Sequence, residues 1–169
     1  VTCTTRSPRD GELDGVDYYF LGEDEFLGRV EGGEFLENAV VHGNHYGVLK
    51  SELRAKLAEG SDVLLNIDVQ GAATIREAAA DDPVLSESLV TVFLCPASLG
   101  DLEKRLRGRG TDSDEIIAKR LAIARDEMDQ AEKFDHTLTS QTREADLGQM
   151  LGIIERVRLA KQETVSTNE

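Results

Sequence analysis

An α/β fold with a parallel-sheet core and a small mixed lobe set into it is what this sequence predicts, on three observations. Two nearly continuous apolar runs, Val63-Leu64-Leu65-Asn66-Ile67-Asp68-Val69 and Leu89-Val90-Thr91-Val92-Phe93-Leu94-Cys95, flank a helix-like stretch over residues 72–80. That order reads as strand, helix and strand of a parallel crossover unit, with strands buried on both faces. Ahead of it, residues 17–48 are rich in aromatics and glycines and carry only short β-like runs, which suits a small separate lobe. The length, 169 residues, is enough for one domain with a core and such a lobe.

Element by element, residues 1–5 are β-prone and lead into a turn at Pro8. Short strands are expected at Tyr18-Tyr19-Phe20, at residues 35–41 and at Tyr46-Gly47-Val48, with a short helix over residues 24–30 placing Phe26, Leu27 and Val30 at helical spacing. Ser51 is expected to cap a helix to Ala58 that Gly60 ends. After the second apolar run, stopped by Pro96, Ser98 starts a helix through Leu106 that is interrupted at Gly108-Arg109-Gly110. Thr111 to Asp114 has capping-box spacing, and Ile117, Leu121, Ala124, Met128 and Ala131 then follow on one helical face. His136-Thr137-Leu138-Thr139 is a last short strand, and residues 147–161 form a closing helix.

Composition narrows the function classes. Hydrophobic residues make up 40% of the chain and charged residues 31%, with no apolar run long enough to span a bilayer. Cys3 and Cys95 lack any metal-ligand spacing, so they are expected to be free thiols in a reducing, cytoplasmic compartment. His42, His45 and His136 share no such spacing either, and no metal-binding residues are assigned. A net charge of −14 repels polyanions and argues against a nucleic-acid partner. It also makes the few arginine clusters conspicuous, because they can select a small phosphorylated ligand. The chain opens on Val1 and already reads as strand there, so an upstream segment is expected.

Arg6 and Arg9 stand three residues apart across Pro8 in Thr4-Thr5-Arg6-Ser7-Pro8-Arg9-Asp10-Gly11-Glu12. Two guanidiniums on a stiffened backbone suit a phosphate clamp, although arginine pairs also decorate solvated surfaces. Asp68, at the carboxyl end of an expected strand, either caps the following loop or sits at the floor of a pocket with Gln70 and Gly71 behind it. Arg105, Arg107 and Arg109 surround a Gly-x-Gly break and Arg120 follows two turns into the next helix. They read as a mobile lid or as basic residues offsetting a helix dipole. Glu37 offers an acceptor-only carboxylate that suits adjacent donors such as the N1 and N2 edge of guanine, but it is also one of 33 acids. Tyr18 and Tyr46 are core aromatics or phosphate-directed hydroxyls.

Six motifs together resemble the guanylate kinases. They are Thr4-Thr5-Arg6-x-Pro8-Arg9-x-Gly11-Glu12, Gly15-x-Asp17-Tyr18, Phe35-x-Glu37, Gly43-Asn44-x-Tyr46-Gly47, Ile67-Asp68-x-Gln70-Gly71 and Arg105-Leu106-x-Gly108-Arg109-Gly110. The resemblance implies a P-loop kinase-like parallel sheet, a GMP-binding lobe over residues 17–48, a helical lid over 105–120 and core elsewhere in 1–169. It implies transfer of a phosphoryl group from ATP to GMP with Mg2+, directly and in line, between small-molecule nucleotides. Arg6, Arg9, Tyr18 and Tyr46 would hold the GMP phosphate, Glu37 and Asp68 would read guanine, and Arg105, Arg109 and Arg120 would serve the transferring group. The family's Gly-rich loop ending in Gly-Lys-Ser or Gly-Lys-Thr has no counterpart in these residues. The expectation is therefore a fragment of the full enzyme, with an inactive binding module for GMP or a phosphorylated peptide as the alternative. Val48, Asn66 and Ser140 also depart from the family's usual serine or threonine, acid and asparagine at those positions.

Overall fold

The computed structural model describes residues 1–41, 43–110 and 112–167. They divide into two compact units, Val1–Leu89 and Val90–Glu169, a boundary that no linker-like composition announces.

The first unit is built on short strands rich in aromatic and β-branched residues. β1 (Thr2–Thr4) and β2 (Tyr18–Phe20) pair in parallel, with α1 (Glu23–Glu31) following; β3 (Phe35–Val41) and β4 (Asn44–Leu49) form a hairpin, and β4 also pairs antiparallel with β1. The sheet order is β2-β1-β4-β3. Register decides what each side chain does. Cys3 lies opposite Tyr19 and Gly47, and this face, joined by Leu49 and Phe35, buries against Phe26 of α1. Phe26 is wholly buried and stacks on Phe35 with ring centroids 4.4 Å apart. Thr4, opposite Phe20 and Tyr46, belongs to the other face.

Three helices complete this unit. In α2 (Lys50–Ala58) Leu49 stands at the cap position without a side-chain bond, so Ser51 is not the cap: β4 runs straight into the helix and leaves no turn for one. Asp68 caps α3 (Val69–Ala80) by accepting from the Gly71 amide at 2.8 Å. In α4 (Pro83–Ser88) Asp82 accepts from the Val84 and Leu85 amides and Pro83 holds the first turn. Leu36, Leu53, Ile75, Ala79 and Leu85 form a second buried cluster among these elements.

The expected buried strand over residues 63–69 does not form. No described strand pairs with it; Val63 is 37% and Leu64 81% exposed, while Leu65 and Ile67 pack against the Leu36 cluster. β-Prone sequence makes a strand only where a neighbour supplies ladder partners for its amides and carbonyls. The sheet of this unit is accordingly mixed rather than parallel.

In the second unit β5 (Val92–Pro96) and β6 (His136–Ser140) pair in parallel. Between them run α5 (Leu99–Arg109), α6 (Asp114–Met128) and a 3-10 turn, Ala131–Lys133. The parallel crossover therefore occurs here, one element later than expected. β5 is not buried on both faces: Leu94 is 57% exposed. α5 continues through Gly108 and ends at Gly110, whose φ of +66° glycine adopts without steric cost; the expected break lies at its last residue. Ser113 caps α6 through the Ile116 amide, and the Thr111 part of the expected capping box lies outside the described residues, as does His42. Ile117 of the expected apolar face is buried, with Leu121, Ala124 and Met128 partly so. α7 (Arg143–Thr167) packs on β6. Asp135 holds the entry to the strands, accepting from the Thr91 amide and hydroxyl at 2.7 Å each.

Candidate active site

Arg6 leaves β1 at the end of the strand and is held on every side. Its Nη2 donates to both carboxylate oxygens of Glu12, at 2.9 and 3.0 Å, and Nη1 to the Ser7 carbonyl at 2.7 Å. The guanidinium carbon lies 5.4 Å from the Tyr18 ring centroid and 5.9 Å from that of Phe20. Hydrogen bonding to Glu12 raises the Arg6 pKa above its ordinary value against the opposing effect of burial, and Tyr46 adds to the rise. Tyr18 and Tyr46 meet edge to face at 6.2 Å.

Glu12 also accepts the Arg9 amide at 2.7 Å, a bond that, followed by the Arg6 guanidinium, holds its carboxyl below the usual range against burial. Arg9 itself is exposed, and its guanidinium makes no hydrogen bond among the described residues. The backbone between strand and turn is pinned as well. Thr4 donates through Oγ1 to the His45 carbonyl and accepts the Arg6 amide, and Thr5 accepts the His45 amide. Asp14 and Asp17 take the Phe20 and Leu13 amides and shape the loop that delivers Tyr18.

Glu37 and Asp68 lie near one another, through a device the sequence does not announce. The β3 register shifts between Phe35 and Glu37. Phe35 packs in the Phe26 cluster, Leu36 packs in the α3 cluster, and the Glu37 carboxylate lies against Gly71 at the start of α3. Burial pushes the Glu37 carboxyl above its ordinary pKa and the neighbouring Asp68 charge adds to the rise. Asp68 fills the capping role the sequence allows, its Oδ1 accepting from the Gly71 amide, and it is exposed beside Glu37 rather than set in the floor of a described pocket. Val48 stands directly across from Glu37 in the ladder.

In the second unit the four arginines separate. Arg109 and Arg120 line an open groove of about 370 Å³ between α5 and α6, with Leu102, Leu106, Ile123, Ala124 and Glu127; Arg120 also pairs with Asp112 at 3.5 Å. Arg107 turns to Glu103 and Asp114. Arg105 does not join the groove. Its fork donates to the Ser140 hydroxyl and to the Ser140 and Gln141 carbonyls, while Asp146 fixes Ser140 and the Gln141 amide.

Set against known proteins, the chain matches the guanylate kinase family model over residues 1–157. It belongs to the guanylate kinase family. The guanylate kinase of Bifidobacterium longum is 48% identical over 143 residues, which cover 84% of this chain and 71% of that one. That of Cereibacter sphaeroides is 42% identical over 166 residues, covering 96% and 75%. The crystal structure of guanylate kinase from Anaplasma phagocytophilum superposes with a TM-score of 0.67 at 32% identity over 92% of this chain and 73% of that one. This likeness bears out the kinase-like α/β fold expected from the motifs. Within the guanylate kinase frame, motif reading gave no such role to Glu12 as the tie between the two arginines, to Phe20 beside Tyr18, or to Gly71 against Glu37. Glu12 and Gly71 carried a signal, as the last members of the first and fifth motifs.

Proposed function

We propose that this chain carries out the guanylate kinase reaction, transfer of the terminal phosphoryl group of ATP to GMP to give GDP and ADP. The observation that carries the reading is the convergence of Arg6, Tyr18 and Tyr46 in one cluster and of Glu37 and Asp68 in another, both in the unit to which the family's acceptor motifs map.

Residues 17–48 act as the GMP-binding lobe. Arg6, already oriented by Glu12, and the exposed Arg9 take the GMP phosphate as charge-assisted donors, with the Tyr18 and Tyr46 hydroxyls beside them. Ionised Glu37 accepts the N1 and N2 protons of guanine, and the exposed side of Asp68 adds an acceptor. Residues 105–120 act as the lid. Within it Arg109 and Arg120 supply countercharge for the transferring group, and Arg105 positions the chain through Ser140 rather than touching phosphate. The transfer is direct and in line, so the protein's work is to orient the acceptor oxygen and to neutralise charge.

Among the described residues no group of three His, Cys, Asp or Glu side chains is placed to hold a metal. A protein cage for Mg2+ is therefore not proposed; the ion enters with ATP on phosphate oxygens and water, its usual ligands, and screens their charge. No described helix is long and apolar enough to cross a membrane. The −14 charge and the two free thiols support a cytoplasmic protein whose partners are nucleotides rather than nucleic acid.

Calorimetric titration with GMP and, separately, with ATP and magnesium tests the reading, followed by an assay of GDP formation. Binding of GMP that is lost in Arg6→Ala and weakened in Glu37→Gln is the expected result. Absence of GMP binding, or binding unchanged in both variants, overturns it.

A further inference from the structure

Gly71 occupies the third residue of α3 at an ordinary helical conformation, so nothing in its backbone calls for glycine. Glycine is the poorest helix former apart from proline, and its use there needs another reason. Space supplies one. A Cβ built on Gly71 would stand 3.3 Å from Cγ and from Oε1 of Glu37, and 3.3 Å from the Ile67 Cβ. Each distance is tighter than van der Waals contact. Ile67 packs in the core, so the carboxylate is the neighbour free to give way.

The register shift in β3 brings Glu37 to this point from one side, and the Asp68 cap fixes Gly71 from the other, through its amide. From these contacts we infer that Gly71 is a positioning residue for nucleobase selection: its missing side chain leaves the Glu37 carboxylate where it meets the 2-amino group of the acceptor base. This rests on Glu37 being the base-reading carboxylate. A methyl group at residue 71 displaces Oε1 by a few tenths of an ångström and tilts the carboxylate, which loses one of two parallel bonds before it loses affinity for phosphate. A site built to bond a donor discriminates strongly against an analogue without it.

The test compares GMP with IMP, which keeps the N1 proton and lacks the 2-amino group, by calorimetry on the parent chain, Gly71→Ala and Glu37→Gln, with a thermal melt of each. In Gly71→Ala, GMP affinity is expected to fall about tenfold and IMP affinity to change little, so that the preference for GMP collapses while the melt holds or rises. An unchanged GMP-to-IMP ratio overturns the role of Gly71 and leaves the proposed function standing, provided Glu37→Gln weakens GMP. A lower melt with both nucleotides weakened equally makes Gly71 a packing residue and overturns it too. If Glu37→Gln binds GMP as the parent does, the base-reading assignment falls and this inference falls with it.

Discussion

One nitrogen of Arg6, Nη2, donates to both carboxylate oxygens of Glu12, and the same carboxylate takes the Arg9 amide. The side chain of one arginine and the backbone of the other are thus tied at a single group. Arg6→Ala is expected to weaken GMP binding about a hundredfold, the scale of losing charge-assisted hydrogen bonds. Glu12→Gln should weaken it less, through lost orientation alone. Calorimetry on both variants checks the order; equal or reversed losses would mean that Glu12 does not orient the clamp.

Glu37 makes binding depend on pH. Its folded pKa is raised, by burial first and Asp68 second, so the folded state holds a proton that the unfolded state has released. Stability therefore falls as pH rises from the ordinary glutamate range, about 4.3, through the raised folded value, and Glu37→Gln should abolish that fall. GMP affinity should move the opposite way, rising through the same window as the accepting carboxylate ionises. Titrations at closely spaced pH values, with Asp68→Asn expected to shift the window downward, decide it.

Gly47 has no room for a side chain. A Cβ there would stand 2.7 and 2.8 Å from Cδ1 and Cε1 of Phe35 and 3.1 Å from Cζ of Phe26. Gly47→Ala should cost about 1–3 kcal/mol by overpacking, read as a lowered urea midpoint. The neighbouring Tyr46 should then be displaced and GMP binding weakened as well.

Arg105 and Arg109 should separate by phenotype. Arg105→Ala removes the fork from Ser140 and Gln141, and because the site is exposed the loss of stability should be no more than about 1 kcal/mol. Arg109→Ala should leave the melt unchanged and lower kcat. If Arg105→Ala left the melt unchanged and slowed turnover as much as Arg109→Ala, the positioning role given to Arg105 would be wrong.

Asp135 titrates with the fold. Burial would raise its pKa, but the Thr91 hydroxyl and amide outweigh that and hold it below the usual range. A lowered folded pKa means that its contribution is complete above the ordinary aspartate value, about 3.9, and fades as pH falls through the folded value. Asp135→Asn should cost about 1 kcal/mol near neutrality and little in strong acid, measurable as converging denaturation midpoints.

Local elements were legible in the sequence because local chemistry decides them. β2 and β3 have the expected bounds, and Ser98 and Gly110 act as helix-end residues. Whatever depends on a partner was not legible. Residues 63–69 carry strand chemistry but no described strand lies beside them. The bulge that turns Glu37 toward Asp68 exists only in the register of β3 on β4. Arg105 and Arg109 share a helical face by spacing, yet the reach of one long side chain sends Arg105 to the end of β6. The candidate site residues are named by type and spacing, whereas the supporting contacts of Glu12 and Gly71, though both lie in the motifs, are set by distances that spacing does not give.

Asp68 gives one oxygen to the Gly71 amide and keeps its carboxylate exposed beside Glu37. On the proposed guanine contact, one side chain would report the state of a helix to a nucleobase. A base engaging the carboxylate would hold the first turn of α3 closed. Nucleotide binding would then be coupled to local folding, and amides of α3 as far along as Ala79 should exchange their hydrogens more slowly once GMP is added.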